Sequence, residues 1–140
     1  MTAALHQASC VAIKGRAVLI EGPPGSGKSS LALALIDRGA VLIGDDGVSL
    51  TTRGGRLCAS PAPNIGGLLE VRNLGLLQFS TLNDVPVALV LRLDAAAERF
   101  IDAPELATRG GTELPLVRLW PDGATLALKA ELALKRYGLG

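Results

Sequence analysis

The segment between residues 22 and 30 has residue types and spacing suited to holding phosphate groups. It is Gly22-Pro23-Pro24-Gly25-Ser26-Gly27-Lys28-Ser29-Ser30 and contains the pattern G-x-x-x-x-G-K-[ST] in full. Its glycines let successive backbone N–H groups turn inward around a phosphate. Lys28 supplies a mobile cation for β- and γ-phosphates, and the Ser29 hydroxyl is suited to Mg²⁺. The segment predicts a nucleotide-binding loop.

Such a loop needs a strand before it and a helix after it. Residues 17–20 form a continuous apolar run, typical of a strand buried on both faces of a sheet. Residues 29–38 have apolar side chains at helical spacing, and Gly39 follows where glycine commonly ends a helix. The alternative is a chance match in a chain with 17 glycines. The strand–loop–helix context favours true nucleotide binding.

Acidic residues follow the next predicted strand, residues 40–43. Asp45 and Asp46 come directly after it, where one carboxylate could lie near Mg²⁺ and the other could face an acceptor hydroxyl. The alternative is a solvated Asp-Asp-Gly turn. Glu70, in a strand-like apolar run, is a third candidate, although such a residue taken alone is more often a surface residue.

The remaining pattern predicts one α/β domain over residues 1–140, with a mixed sheet. Short strands are expected between residues 48 and 79, a strongly apolar strand over 86–93 and a last strand over 114–119. Residues 95–113 are weakly patterned and are expected to form a mobile excursion. A C-terminal helix is expected over 122–137.

Composition excludes several classes of protein. The chain has 14 basic and 13 acidic residues and four aromatic ones, which argues against nucleic-acid or anionic-membrane partners. No apolar run has the ~18 residues that a membrane span needs, and the first six residues lack signal-peptide features. Cys10 and Cys58 are expected to be buried free thiols, which suits a cytoplasmic protein.

Three stretches together resemble a known family: the loop at 22–30, the segment 38–46 with its two aspartates, and Gly67-Leu68-Leu69-Glu70-Val71-Arg72-Asn73-Leu74-Gly75. They are similar to the catalytic, C-terminal domain of HPr kinase/phosphorylase, in its short α-proteobacterial form. The resemblance implies a P-loop kinase fold shared with phosphoenolpyruvate carboxykinase. It also implies ATP- and Mg²⁺-dependent phosphorylation of a serine on the phosphocarrier protein HPr, reverse phosphorolysis, and regulation of phosphotransferase signalling.

The resemblance also assigns roles to individual residues. Lys28 would bind phosphate, Ser29 and Glu70 would hold Mg²⁺ with Asp45 beside them, and Asp46 would be the general base. His6 resembles the family's active-site histidine, the alternative being an exposed bystander near the terminus. Arg99 resembles the catalytic arginine that steadies the transferred phosphoryl group, the alternative being an exposed surface arginine.

The chain also departs from the family pattern. Full-length members carry an N-terminal domain and are hexameric, and the sequence leaves open whether this chain forms a homo-oligomer. Their late loop, R-x-G-R-N, is associated with dephosphorylation. Here residues 114–119 take its place, with Arg118 the only basic residue. Kinase activity is therefore expected to exceed phosphorolysis, the alternative being that another arginine, Arg109 or Arg72, takes the part of the late loop. Two other functions stay open: a P-loop kinase for a small metabolite, and a nucleotide-binding sensor that transfers nothing.

Overall fold

The computed structural model describes residues 3–140, which form a large mixed sheet with two helices. The first six strands are β1 (Ala4–His6), β2 (Ser9–Ile13), β3 (Arg16–Glu21), β4 (Val41–Gly44), β5 (Val48–Arg53) and β6 (Arg56–Pro61). The others are β7 (Leu68–Val71), β8 (Gly75–Gln78), β9 (Val85–Leu93), β10 (Glu105–Arg109) and β11 (Thr112–Leu119). The helices are α1 (Lys28–Asp37) and α2 (Leu126–Tyr137).

Nine of these strands form one sheet, and β7 and β8 form a separate hairpin. The main order is β1-β5-β6-β9-β3-β2-β4, with β11 paired to β9 and β10 paired to β11. The β3–β9 and β9–β11 pairs are parallel and the others are antiparallel. The predicted α/β class with a mixed sheet is confirmed.

Strand β9 is the centre of the sheet because three strands pair with it. Its first residues pair with β6, its last four pair with β11, and most of its length pairs with β3. Seven of its nine residues are buried, which explains the nearly unbroken apolar sequence. The parallel register aligns Glu21 with Arg92 at the carboxyl ends of β3 and β9. These two polar side chains therefore meet where open α/β sheets commonly bind ligands.

Two apolar clusters hold the sheet in place. One lies beneath both helices, where Leu35 and Leu134 pack with Leu91 and other strand residues. The other includes Leu19, Val90 and further residues of β5, β6 and β11. Alternate residues of β3 enter different clusters, as the two-residue period of a strand requires. Strand β9 follows the same rule except at Ala88 and Leu89, which both enter the first cluster, where its register with β3 is irregular.

Helix boundaries differ slightly from the sequence predictions. Helix α1 begins one residue earlier than expected and ends at Asp37, before Gly39 (φ 109°), whose N–H donates to the Ile36 carbonyl at 3.0 Å. Helix α2 begins at Leu126 rather than at residue 122. The preceding turn contains Gly123 with φ 110°, a left-handed conformation that delays the helix.

The expectation of a mobile excursion over residues 95–113 is wrong in its last part. Residues 105–109 form β10, which pairs in antiparallel register with β11. Gly110 and Gly111 connect the two strands with φ of 54° and 78°, as a type I′ hairpin turn requires. The Gly-Gly pair was the sequence signal for this hairpin.

Other expectations concern the cysteines and membranes. Cys10 and Cys58 are both buried and free, as expected. Burial raises the pKa of Cys10, which keeps its thiol protonated. Among residues 3–140, no helix combines the length and apolarity needed to cross a membrane.

Leu134→Ala should destabilise the protein by about 2–5 kcal/mol, because it leaves a cavity under α2. Leu134 is 2% exposed, whereas Leu132, on the same helix, is 53% exposed. The matched control Leu132→Ala should change stability by about 0.5 kcal/mol or less. Urea unfolding of the three proteins measures both effects, and equal losses would contradict the packing of α2 on this cluster.

Candidate active site

The glycine-rich loop connects β3 to α1 and is tightly packed. A Cβ placed on Gly22 would lie 2.6 Å from Ser26 Oγ and 3.2 Å from Leu93 atoms, so only glycine fits there. Gly27 caps α1 with φ 101°. The Lys28 Nζ donates to the carbonyl oxygens of Gly22 and Pro23, at 3.0 and 3.2 Å. The lysine thus folds back over its own loop.

A cavity of about 440 Å³, here called the acidic cavity, opens on one side of the loop. Its lining brings together most of the predicted site residues. They include Pro24, Gly25, Gly27, Lys28, Ser29, Ser30, Asp45, Asp46 and Glu70. Ile65, Leu68, Arg72 and Leu76 line the cavity as well, from the β7–β8 hairpin and the segment before it.

The Asp45 carboxylate is held by three donors from three parts of the chain. Its Oδ1 accepts hydrogen bonds from the Ser29 hydroxyl at 2.7 Å and from the Ser9 hydroxyl at 2.9 Å. Its Oδ2 accepts from the Glu70 backbone N–H at 3.2 Å. Ser9 is only 1% exposed, so this polar network is largely enclosed. Asp45 therefore fixes Ser29 and the β7 backbone relative to each other.

Asp46 differs from Asp45 in its exposure and in its hydrogen bonding. It is exposed on the cavity wall, and no hydrogen bond from the rest of residues 3–140 reaches its side chain. Its φ of 63° is left-handed, a conformation that aspartate and asparagine adopt more readily than most residues. The turn thus places two adjacent carboxylates in different surroundings.

The donor set of this cavity fits Mg²⁺. Hydroxyl and carboxylate oxygens of Ser29, Asp45 and Glu70 are the hard ligands that this ion prefers. Within residues 3–140, no three acidic, histidine or cysteine side chains are grouped closely enough to enclose a metal by themselves. Mg²⁺ commonly binds through one or two carboxylates plus substrate phosphates, so this sparse set agrees with an ion that arrives with a nucleotide.

A second cavity of about 450 Å³, here called the basic cavity, adjoins the loop and shares Pro24 and Lys28 with the first. His6, Glu21, Arg92 and Arg109 also line it. Arg109 lies on the β10–β11 hairpin, His6 on β1 and Arg92 on β9. His6 is therefore beside the phosphate loop, although it is not part of the acidic cavity.

Glu21 is the anchor of the basic cavity. Arg109 donates to both of its carboxylate oxygens, at 2.8 Å from Nε and 2.7 Å from Nη2, and His6 Nε2 lies 2.8 Å from Oε2. Burial opposes ionisation of this side chain, which is 6% exposed, but the hydrogen bonds from Arg109 and His6 outweigh it. They lower the pKa of Glu21 to about 2. Because an ionised carboxylate only accepts hydrogen bonds, His6 carries a proton on Nε2.

The structure does not bring Arg99 to either cavity. Arg99 is exposed between β9 and β10 and is not among the described residues that line them. Arg118, as expected, lies in a strand, where Glu105 and Asp94 bind it at 2.7 and 3.0 Å. Among the described residues, Arg92 and Arg109 share the basic cavity with Lys28, and Arg72 shares the acidic cavity with it.

Three residues of these sites, Ser9, Glu21 and Arg92, were missed by the sequence analysis as members of a site. Ser9 begins a buried strand, Glu21 ends one, and Arg92 is the only charge within the apolar run 85–93. Each is a polar residue in a buried strand, where an apolar residue is expected, and this exception was the sequence signal that could have identified it. Arg109 lies in the segment for which no strand was predicted.

A strand, a glycine-rich loop and a helix, with acidic residues at a neighbouring strand end, are typical of nucleotide-binding α/β proteins. The family model described as the HPr Serine kinase C-terminal domain matches residues 2–86. The chain belongs to this family.

Individual relatives agree with this assignment. The HPr kinase/phosphorylase of Brevibacillus brevis is 44% identical over 91% of this chain and 45% of its own length. That of Limosilactobacillus reuteri is 33% identical over 91% of the chain and 44% of its length. The solved structure of the HPr(Ser) kinase/phosphatase from Coxiella burnetii matches with a TM-score of 0.84 at 25% identity, covering 94% of this chain and 88% of that one. The chain thus spans less than half the length of these curated relatives.

Glu21 should contribute stability that disappears in acid. Its folded pKa of about 2 is below the ordinary value of 4.5, so the contribution is complete above pH 4.5 and declines as pH falls towards 2. The advantage of the wild type over Glu21→Gln should shrink by on the order of 3 kcal/mol across that range. Urea unfolding between pH 6 and 2 measures it, with exposed Glu98→Gln as the control. A pH-independent difference would contradict the ion pair.

Proposed function

We propose that this chain is a catalytic domain that phosphorylates a serine of the phosphocarrier protein HPr, using ATP and Mg²⁺. The observation that carries the proposal is the acidic cavity, where Lys28 and Ser29 lie across from the exposed carboxylate of Asp46. A phosphate held by the loop would there face a group able to accept a proton. Kinase catalysis needs this combination of positioning and charge.

The loop residues bind and orient the nucleotide in this proposal. Backbone N–H groups of the loop, those of Pro23 and Pro24 being absent, surround the phosphates, and the N-terminus of α1 adds the positive end of its dipole. The Lys28 amine leaves the Gly22 and Pro23 carbonyls and turns to the β- and γ-phosphates. Ser29, Asp45 and Glu70 would hold Mg²⁺, which would neutralise charge on the transferred phosphoryl group.

Asp46 takes the seryl proton as the hydroxyl attacks in line. Asp45 is less suited to this task because three donors already occupy its oxygens. His6 is also less suited, because it lines the basic cavity and is not among the described residues that line the acidic cavity. We infer that His6 positions the β3–loop junction. In the reverse direction, Asp46 returns the proton to the serine oxygen.

The names of the relatives support the partner and the reverse activity. The curated relatives are called HPr kinase/phosphorylase, and we carry both HPr and phosphorolysis over to this chain as part of the proposal. Regulation of phosphotransferase signalling follows from the same substrate. The two free cysteines suit a reducing compartment such as the cytoplasm.

Incubation with labelled ATP, Mg²⁺ and purified HPr of the source organism tests the function. Label should enter HPr and should be lost when the acceptor serine is replaced by alanine. If label enters sugars or nucleosides while HPr stays unlabelled, the protein is instead a metabolite kinase. Bound nucleotide with no labelled acceptor would indicate a sensor module.

Lys28→Ala should remove most nucleotide binding, because the β- and γ-phosphates lose the loop's flexible cation. Calorimetric titration with Mg·ATP measures the affinity. Lys135→Ala removes the same charge from an exposed position on α2 and serves as the control. Equal ATP affinities for the two variants would contradict the phosphate-loop assignment.

Asp46→Asn should keep Mg·ATP binding and lower the transfer rate by ~10²–10⁴-fold, because the amide cannot accept the seryl proton. Asparagine also tolerates the left-handed backbone there, so the fold should be unaffected. Asp45→Asn should chiefly raise the Mg²⁺ requirement. Rates measured across a Mg²⁺ titration separate the two variants. If Asp45→Asn loses more of the maximal rate than Asp46→Asn does, Asp45 and not Asp46 is the general base.

A further inference from the structure

Trp120 is the only tryptophan of the chain and lies on the turn between β11 and α2. Strand β11 is parallel to β9, and β9 is parallel to β3, so this turn lies at the same edge of the sheet as the glycine-rich loop. The Asp94 N–H donates to the Leu119 carbonyl at 2.9 Å, which joins the ends of β9 and β11. A large aromatic side chain, 44% exposed, thus lies at the edge where open α/β sheets commonly bind ligands.

The indole ring of Trp120 is held in a fixed orientation. Its Nε1–H donates to the Ala97 carbonyl at 2.7 Å, in the segment after β9. The Lys129 ammonium lies 5.6 Å from the ring centroid, within the range of a cation–π interaction. These contacts use one edge and one face of the ring, and aromatic surface remains exposed. The side chain is therefore pre-organised for a ligand with a flat, weakly polar group.

The turn that carries Trp120 also lies against the glycine-rich loop. A Cβ placed on Gly27 would lie 3.7 Å from the carbonyl oxygen of Pro121, the residue after Trp120. Gly27 is the N-cap of α1, at the end of the loop, whereas the Lys28 Nζ reaches back to the carbonyls at its beginning. In such loops the lysine reaches the β- and γ-phosphates, and backbone N–H groups hold the α- and β-phosphates. A nucleoside on the α-phosphate therefore leaves the loop on the side of this turn.

We propose that Trp120 is the stacking surface for the purine base of the nucleotide that the loop binds. The inference rests on the proposed function in one respect, that a nucleotide occupies the loop. Aromatic side chains stack on bases of any hydrogen-bonding pattern, because every base has a π face. Trp120 thus contributes affinity for the nucleoside, while the loop contributes affinity for the phosphates.

The two cavities beside the loop are less suited to a base. The basic cavity is lined by Arg92 and Arg109, whose charges favour anions. The acidic cavity has to admit the acceptor serine in front of Asp46 if the proposed function holds. It also contains apolar side chains, Ile65 and Leu76, and these form the alternative surface for a base.

Calorimetric titration of the full chain with Mg·ADP and with Mg·pyrophosphate separates the base from the phosphates. Trp120→Ala should weaken the affinity for Mg·ADP roughly tenfold, because the stacking surface is lost, and should leave the affinity for Mg·pyrophosphate unchanged. Trp120→Phe keeps an aromatic ring and should lose less ADP affinity than Trp120→Ala does. The control Phe100→Ala removes an aromatic ring that is 83% exposed and should bind both ligands as the wild type does.

Three results of these titrations would overturn the proposal. The first is an unchanged affinity for Mg·ADP in Trp120→Ala, above all if Leu76→Ala loses that affinity instead, which would place the base in the acidic cavity. The second is an equal loss of affinity for Mg·pyrophosphate, because Trp120 would then support the shape of the loop. The third is a loss of ADP affinity as large in Trp120→Phe as in Trp120→Ala, which would exclude ring stacking as its source.

Tryptophan fluorescence of the wild type provides a measurement that needs no variant. Because Trp120 is the only tryptophan, saturation with Mg·ADP should change the emission more than saturation with Mg·pyrophosphate does. If Trp120→Ala fails to fold, this comparison decides, and equal changes with the two ligands would overturn the proposal.

Transfer of label to HPr distinguishes failure of this proposal from failure of the proposed function. A selective loss of ADP affinity in Trp120→Ala, with no transfer to HPr by the wild type, would refute the proposed function and leave the base site standing. Transfer by the wild type, with unchanged ADP affinity in Trp120→Ala, would refute the base site alone.

Discussion

The parallel pairing of β3 with β9 is the constraint on which both cavities depend. It places the loop at the carboxyl end of a buried strand and brings Gly22 against Leu93 so closely that a Cβ would not fit. The same register aligns Glu21 with Arg92. Since β9 also pairs with β6 and β11, every other strand of the sheet is positioned directly or indirectly by this one. Loss of this pairing would remove the phosphate loop and the arginine side of the site together.

The carboxylates of the two cavities differ in how many hydrogen-bond partners each one has. Asp45 accepts three hydrogen bonds, from α1, β2 and β7, and so holds these three elements together. Asp46, next to it, has an unpaired side chain among the described residues and is available for chemistry. Glu21 is ionised and enclosed, and it organises arginine rather than metal. Three acids with the same side-chain chemistry thus have three different surroundings, and the proposed function gives them different roles for that reason.

Sequence alone predicted the parts of the fold that local pattern determines. The loop, α1 and the central apolar strand follow from glycine positions and apolar periodicity, and Asp45, Asp46 and Glu70 were placed near the loop by motif. The pairing of Arg109 with Glu21 could not be predicted, because these residues are 88 positions apart and meet only through the β10–β11 hairpin. The same holds for Ser9 and Asp45, which meet only when β2 and β4 pair. Pairings of this kind are decided by tertiary packing, and the same packing leaves Arg99 outside the described lining of both cavities.

The two hydrogen bonds from Lys28 to the loop carbonyls have a consequence for ligand exchange. The Lys28 cation already has hydrogen-bond partners within the loop, the carbonyl oxygens of Gly22 and Pro23. The affinity for any phosphate is therefore the difference between two bonded states, and the resting bonds subtract from it. They also offer the lysine a stable position as a product leaves. Each phosphate that binds at this loop therefore exchanges two carbonyl partners of Lys28 for its own oxygens.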